Sequence, residues 1–404
     1  MAQVQINLDS KLLHELFSKD GRDEAFSKLM ETILNQVLSH EASEQLCAEP
    51  YERNEGRVGY RNGIRERGLQ TRIGALTLSV PRFRGIKFNT SFFKRYQRSE
   101  QALLLTMIDM VVNGVSTRKI KSITEELCGT SFSKSTVSSL CKLLDPEVQK
   151  FRNRTLEKYY PFLIVDAICT KVRRDGRIIS MGILIVTGVN QNGYREILGF
   201  NLADSESEAS WDSLFKSLKY RGLQTVDLIV SDDHTGLVKS VQKNFQGTTW
   251  QRCQTHFSRN ILDATPKRLQ PEMKLWLRSL YNANDFKKAN TNKQEMINLF
   301  EETAPKAIKK LEQGFDDVLA VLMLPLKYRR RLRTTNSIER LNEEIRRRER
   351  VIRIFPNQAS VIRLIGALLI EQHEKWISGR KYLDMEEYYE SKKKREIKLE
   401  LNSA

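Results

Sequence analysis

The chain has 404 residues and carries 67 Lys and Arg against 50 Asp and Glu, a formal net charge of +17, which suits a polyanion better than an acidic small molecule and makes nucleic acid the leading partner. Its five cysteines, Cys47, Cys128, Cys141, Cys169 and Cys253, form no CxxC pair, which argues against a disulfide framework or a zinc finger and for a reducing cytoplasm. No basic-then-apolar leader and no apolar run of bilayer length is present, so the expectation is a soluble protein without membrane contact, long enough for two or three domains.

Residues 12–46 space their apolar side chains as a helix does. A basic, glycine-punctuated segment follows over residues 51–98. In it Arg53, Arg57, Arg61, Arg65, Arg67, Arg72, Arg82, Arg84, Lys94, Arg95 and Arg98 interleave with Tyr51, Tyr60, Phe92, Phe93 and Tyr96, a mixture suited to phosphate contact with aromatic support. Within that segment "QTRIGALTLSVPRFRG" alternates Leu76, Leu78 and Val80 up to Pro81, the period of a short strand or hairpin. Residues 101–144 return to helix: an apolar stretch, then "NGVSTRKIKSITEELCG", then "TSFSKSTVSSLCKLL". Helix, Gly-containing turn and Ser-capped helix resemble a helix-turn-helix. Ser133 would cap a recognition helix presenting Lys134, Ser135, Ser138 and Ser139 to DNA. Asp145-Pro146 marks a domain boundary. The expected order is a helical and basic DNA-binding region over 1–98 and a helix-turn-helix domain over 99–150.

Beyond residue 160 the texture changes to strands. "PFLIVDAICTKV", "IISMGILIVTGVN" and "YREILGFNLAD" read as a three-stranded antiparallel meander. A helix ended by Gly222, the strand "VDLIVSDD", a helix at "TGLVKSVQKNF" and a short strand in "TTWQRCQTHF" follow. This is the element order of an α/β ribonuclease-H-like fold, although order alone fits other α/β domains. The expected catalytic core runs over 151–260 and resumes over 331–378. A helical insertion over 261–330 interrupts it as a segment the fold could exchange for a short linker, and a charged tail covers 379–404, exposed over its last part, "SKKKREIKLELNSA".

Asp166 ends an apolar strand, where an unpaired acid costs free energy and calls for a balancing charge such as a metal ion. Asp232 follows "DLIVS" at the end of another; if the two strands are neighbours, the carboxylates converge in an all-oxygen setting that suits Mg2+. Asp233 competes with Asp232 on position alone, and each aspartate alone also reads as a turn or cap acid. Glu339 lies in "TTNSIERLNEE" on the flank of a helix whose apolar face is Ile338, Leu341 and Ile345. Asn336 and Glu339 have capping-box spacing, and spacing alone favours the cap; Glu343 and Glu344 are further alternatives. Arg340, Arg346, Arg347 and Arg348 follow as candidate phosphate ligands, as do Arg82 and Arg84 in the basic segment.

The strings "VSTRKI", "SDDHTGL", "WQRCQTHF", "SIERLNEEIRRRERVIRIFPN" and "RLIGALL", in this order, resemble bacterial insertion-sequence transposases of the Mutator-like DDE family, from the first residues to about Trp376. The resemblance implies a ribonuclease-H-like core whose catalytic and metal-binding triad matches Asp166, Asp232 and Glu339, holding two Mg2+ ions with Mn2+ as a substitute. It implies double-stranded DNA as partner, both terminal inverted repeats and target, a homodimer that synapses two ends, and a cytoplasmic, nucleoid-associated protein. The family's Cys-x-x-His signature matches Cys253 and His256, read as active-site support because two ligands do not make a structural zinc site. His234 is read as positioning a carboxylate or phosphate. The second acid of "SDDH" departs from the family pattern and leaves the register of that position open. The rival readings are a non-catalytic DNA-binding regulator and a nuclease that cuts without joining.

Overall fold

The computed structural model describes residues 6–8, 10–17, 22–71, 74–90, 101–128 and 132–403. It divides into two compact units, Met1–Leu143 and Leu144–Ala404. In the first unit the helical periodicity near the start resolves into two helices, α1 (Ser10–Phe17) and α2 (Arg22–Leu46), ahead of an antiparallel hairpin, β1 (Tyr60–Thr71) and β2 (Gly74–Arg84). The pairing slips between Arg61 and Ile64, where Gly63 takes φ 75°, a left-handed conformation that only glycine adopts without strain. Leu76 and Leu78 point from one face of β2 onto Leu38 of α2, so a period of two meets a period of 3.6 in one small core. Three helices complete the unit: α3 (Gln101–Val112), α4 (Thr117–Cys128) and α5 (Lys134–Cys141). They share a core of Met107, Ile120 and Val137. The Ser133 hydroxyl accepts the Thr136 N–H at 3.1 Å and so caps α5.

The second unit opens with α6 (Asp145–Asn153) and then lays down β3 (Tyr159–Arg174), β4 (Arg177–Val189) and β5 (Arg195–Ala203) as an antiparallel meander. After α7 (Glu208–Tyr220), β6 (Thr225–Ser231) adds parallel to β3; after α8 (Thr235–Asn244), β7 (Thr249–Arg252) adds parallel to β6. The sheet order is β5-β4-β3-β6-β7. Alternate residues of its strands face opposite layers. Leu163, Val165, Leu184 and Val186 pack under Trp211 and Phe215 of α7 and Leu237 of α8. Phe162, Ile164, Leu228 and Val230 pack on the other side.

That other side is covered by the C-terminal helices. The chain passes through α9 (Gln254–Asp263), α10 (Gln270–Tyr281), α11 (Phe286–Phe300) and α12 (Pro305–Leu319) before α13 (Leu326–Leu332), α14 (Asn336–Ile352), α15 (Gln358–Ser378) and α16 (Glu386–Ser403). The helices from α9 to α12 form a core of their own, and the end of the segment is also bonded into the sheet. The Gln251 side chain of β7 donates to Val318 O at 2.8 Å and accepts the Val321 N–H at 2.6 Å, both buried. Excision would leave these groups unpaired, at about 1–3 kcal/mol each. The tail is corrected. Tyr388 is 1% exposed in the core of Leu383, Met385 and Tyr328, and Lys392 donates to both oxygens of Asp227 at 2.9 Å. The run of charges from Ser391 onward hides the apolar side that precedes it.

Among the described residues no helix is long and apolar enough to cross a membrane.

Candidate active site

Parallel pairing puts Ile164 of β3 beside Val230 of β6; two residues on stand Asp166, still within β3, and Asp232, one residue past the end of β6. Both share the parity of Phe162, Ile164, Leu228 and Val230, so both belong to the face covered by α13 and α14. Asp166 is 9% exposed. Its Oδ1 accepts the Ala167 N–H at 3.0 Å and its Oδ2 accepts the Asn342 amide at 2.7 Å. Burial first, then the Asp232 charge, push the Asp166 carboxyl up to about 6, against those hydrogen bonds and the nearby His256. No lysine or arginine pairs with either carboxylate among the described residues. Asp233 points elsewhere: it is exposed and pairs with Arg252 at 2.9 Å.

Around this pair stand the residues singled out as support. The Cys253 N–H donates to Ser231 O at 2.7 Å, which fixes the start of α9 against the end of β6. Burial works to raise the Cys253 thiol, but hydrogen bonding with His256 and Thr335 outweighs it and holds the group below its ordinary value. The Cys253 side chain in turn raises His256 to about 9, helped by the Asp232 and Asp166 charges. His256 is therefore a cation at neutral pH beside two carboxylates. His234 ends the loop after β6, its Nδ1 3.8 Å from Glu206 Oε1. Glu206 was not legible in the sequence as a site acid. Burial and then Asp232 push its carboxyl up, and its partner Trp211 reaches it at 3.3 Å.

Glu339 stands in the first turn of α14, half-buried. The capping box expected of Asn336 and Glu339 is absent: the N-cap is Thr335, without a side-chain cap bond, and Asn336 Oδ1 accepts instead from Thr255 at 3.3 Å. One turn on from Glu339, on the same side of the helix, Asn342 reaches Asp166. Asn342, like Glu206, is a site residue that sequence reasoning missed; its i+3 spacing puts it on the side of Glu339, but its partner Asp166 lies 176 residues away. Among the described residues no three His, Cys, Asp or Glu side chains lie close enough together to hold a metal ion; Asp166 and Asp232 are near enough for the charge of one to act on the other.

Comparison with known proteins adds to this geometry. The family described as "Transposase, Mutator family" matches residues 1–379. The chain is 42% identical over 96% of its length, and over the whole of the relative, to the transposase for insertion sequence element IS256 in transposon Tn4001 of Staphylococcus aureus. It is 42% identical to the transposase for element ISRM5 of Rhizobium meliloti, covering 91% of this chain and 92% of that one. Identity is 39% to the transposase for element IS1081 of Mycobacterium tuberculosis, covering 89% and 87%. The chain belongs to the Mutator family of transposases.

In this family member the residues assigned to DNA fall into two groups. Lys134, Ser135 and Ser138 lie on the exposed side of α5, opposite buried Val137 and Cys141, and Arg82 and Arg84 are exposed at the end of β2. On α14, Arg340, Arg346 and Arg347 are exposed, but Arg348 is 5% exposed and bonded to Glu344. Two arginines of the basic segment serve the fold: Arg61 donates to Ser43 Oγ at 2.7 Å and Arg57 to Gly59 O at 2.7 Å. Arg72, Phe92, Phe93, Lys94, Arg95, Tyr96 and Arg98 lie outside the described residues.

Proposed function

We propose that the chain binds the terminal inverted repeats of an insertion sequence, cuts the DNA there and joins the freed 3′-hydroxyl to target DNA, with Asp166, Asp232 and Glu339 as the catalytic carboxylates of a ribonuclease-H-like core. The observation that carries the reading is the pairing of β3 with β6 as far as Ile164 beside Val230, which brings Asp166 in β3 and Asp232, just past the end of β6, to one end of the sheet. The antiparallel meander followed by two parallel strands supports the fold assignment, and the relatives named as insertion-sequence transposases support the substrate. The Arg252 partner of Asp233 favours Asp232 as the second acid.

The donor set fits hard divalent cations. Asp166 and Asp232 share one sheet end, form no ion pair with a lysine or arginine among the described residues, and burial together with the Asp232 charge raises Asp166; carboxylate oxygens are what Mg2+ and Mn2+ prefer. Asp166 and Asp232 would hold the two ions, and Glu339 would join them by rotating from the first turn of α14. When bound, the pair supplies activation of water or a 3′-hydroxyl and stabilisation of the leaving oxygen. Asn342 and the Ala167 N–H orient Asp166 for that role, and the His256 cation offsets part of the negative charge. On the DNA side, α5 and its neighbours read as a helix-turn-helix, with Lys134, Ser135 and Ser138 facing DNA and Arg340, Arg346 and Arg347 on phosphates near the site. A homodimer would bring two ends together. Arg348 is withdrawn from the phosphate ligands because its guanidinium is buried on Glu344.

Asp166→Asn, Asp232→Asn and Glu339→Gln should each abolish cleavage and joining on end DNA with Mg2+ while leaving end binding nearly intact, since they remove acid groups but no phosphate contact. Asp233→Asn should keep substantial activity. Wild-type-like joining by any of the first three removes that residue from the triad; a dead Asp233→Asn beside an active Asp232→Asn shifts the assignment by one. A wild type that cuts and never joins would be a nuclease.

A further inference from the structure

A cavity of about 300 Å³ opens where the first turns of α9 and α14 meet the end of α13, lined by Gln254, Thr255, Arg330, Arg333, Thr334 and Asn336. No carboxylate lines it. Arg330 is exposed, and Arg333 Nη1 donates to Asn282 Oδ1 at 3.1 Å. Burial and then the charge of Arg330 weigh against the Arg333 cation, so two guanidiniums face one space with nothing acidic between them. Two helix N-termini, neither with a side-chain cap bond, add partial positive charge from the same side. The cavity is therefore built to receive oxygen acceptors bearing negative charge.

One lining group asks for something else. Gln254 is 3% exposed; its Nε2 donates to Val318 O at 3.0 Å, while its Oε1 is buried without a hydrogen-bond partner. A buried acceptor left so costs about 1–3 kcal/mol. Ser258 and Tyr281 cannot relieve it, since the Ser258 hydroxyl donates to Gln254 O at 2.7 Å and the Tyr281 hydroxyl donates to Ser258 Oγ at 2.8 Å. The matching ligand combines an anionic oxygen group with an N–H donor a short distance away. A free phosphate has the first and lacks the second; a nucleotide has both.

We infer that this cavity holds one nucleotide of the bound DNA strand, with its phosphodiester on Arg330 and Arg333 and an N–H of its base against Gln254 Oε1. A base can enter only if it leaves the duplex stack, so the cavity takes a nucleotide unpaired at or beside the end being processed. Glu339 lies three residues beyond Asn336 on α14, which ties the held nucleotide to the helix that carries the proposed third carboxylate. The inference rests on the proposed DNA-joining role for its substrate, and on the cavity alone for its location.

The test uses the full-length protein and duplexes of the element's own end. Phosphates near the cleavage point are replaced one at a time by methylphosphonate, and bases one at a time by 2-aminopurine. Wild type should lose about tenfold or more in affinity at one methylphosphonate position, the size of one or two charge-assisted hydrogen bonds, and the neighbouring 2-aminopurine should brighten several-fold as it unstacks. Arg330→Ala, with an unchanged thermal melt, should show neither response. Equal losses at every phosphate in the wild type, or the full wild-type pattern in Arg330→Ala, would overturn the inference. A phosphate response without brightening puts a bare phosphate in the cavity and overturns the nucleotide. Cleavage of the same duplexes with Mg2+ is read alongside: binding responses without cleavage sink the catalytic reading and leave the cavity standing, and cleavage without the responses does the reverse.

Discussion

Half-buried His373 and buried Asp166 titrate over nearly the same pH range with opposite effects on the fold. His373 Nδ1 accepts the Ile197 N–H at 3.3 Å, which needs the neutral ring, and burial followed by the Arg154 charge lowers the group to about 4. The folded state therefore takes up this proton less readily than the unfolded chain. Stability is full above pH about 6.5 and falls as pH drops toward 4, by up to about 3 kcal/mol. His373→Asn keeps an acceptor for Ile197 and should flatten the melting temperature across that window; an unchanged pH slope would show that the acid sensitivity arises elsewhere. For Asp166 the sign is reversed. Its carboxyl is raised to about 6, so the folded state holds the proton more tightly and loses stability as pH rises from about 4 through 6. Asp166→Asn should raise the melting temperature of the metal-free protein at pH 7.5 and lose that advantage below pH 4, where the wild-type group is already neutral. A melting temperature lowered at both pH values would mean that the hydrogen bonds to Asn342 and Ala167 outweigh the charge. Such an acid, expensive to the fold and kept in its sheet, is consistent with a role in chemistry.

At the scale of elements, α14 is held at both ends. Near its start Asn342 bonds Asp166; at its end Phe355 exchanges hydrogen bonds with Lys171 and Arg173 of β3 at 2.9 Å each. The turn between helix and strand runs through Arg353 at φ 64° and ψ −53°, with Ile354 N–H donating to Ile352 O at 2.8 Å, a three-residue turn that a Cβ-bearing residue adopts at about 1–3 kcal/mol. Arg353→Gly relieves that strain against about 0.5–1 kcal/mol of added chain entropy, so urea unfolding should show a gain on the order of 1 kcal/mol; a loss would show that the arginine side chain, exposed here, holds the turn. How much was legible follows from the range of each signal. The strands around Asp166 and Asp232, the Ser133 cap and the helices of the insertion are written in local periodicity and cap chemistry, and they are present. Spacing alone could not place the start of the Glu339 helix, because that start is decided by contacts across the chain: Thr335 meets Cys253, 82 residues away, and Asn336 meets Thr255. The bond that ties the insertion to the sheet is hidden for the same reason, since nothing near Gln251 in sequence announces Val318. Asn342 and Glu206 went unseen because their worth lies in partners that only the folded sheet supplies.

For the whole molecule, the first unit, Met1–Leu143, has its own cores around Leu38 and Met107 and an exposed set of basic residues. A fragment of residues 1–150 should bind end DNA by itself, with affinity falling steeply as salt rises because lysines and arginines displace counterions from the phosphates. Fluorescence anisotropy across a salt series reads this directly, and a folded fragment that fails to bind at low salt would end the assignment of this unit to DNA. The second unit has a different kind of completeness. Asp227, at the start of the strand that leads to Asp232, is bonded by Tyr159, by Tyr388 at 2.5 Å and by Lys392 at 2.9 Å, the last two from 161 and 165 residues further along. Translation therefore makes every proposed catalytic acid before it makes the brace on which their sheet rests. A gene copy interrupted by a stop codon after Ser378 would still encode Asp166, Asp232 and Glu339 and would pass any genomic survey that counts those three, yet its product would lack α16 and leave Asp227 without Tyr388 and Lys392.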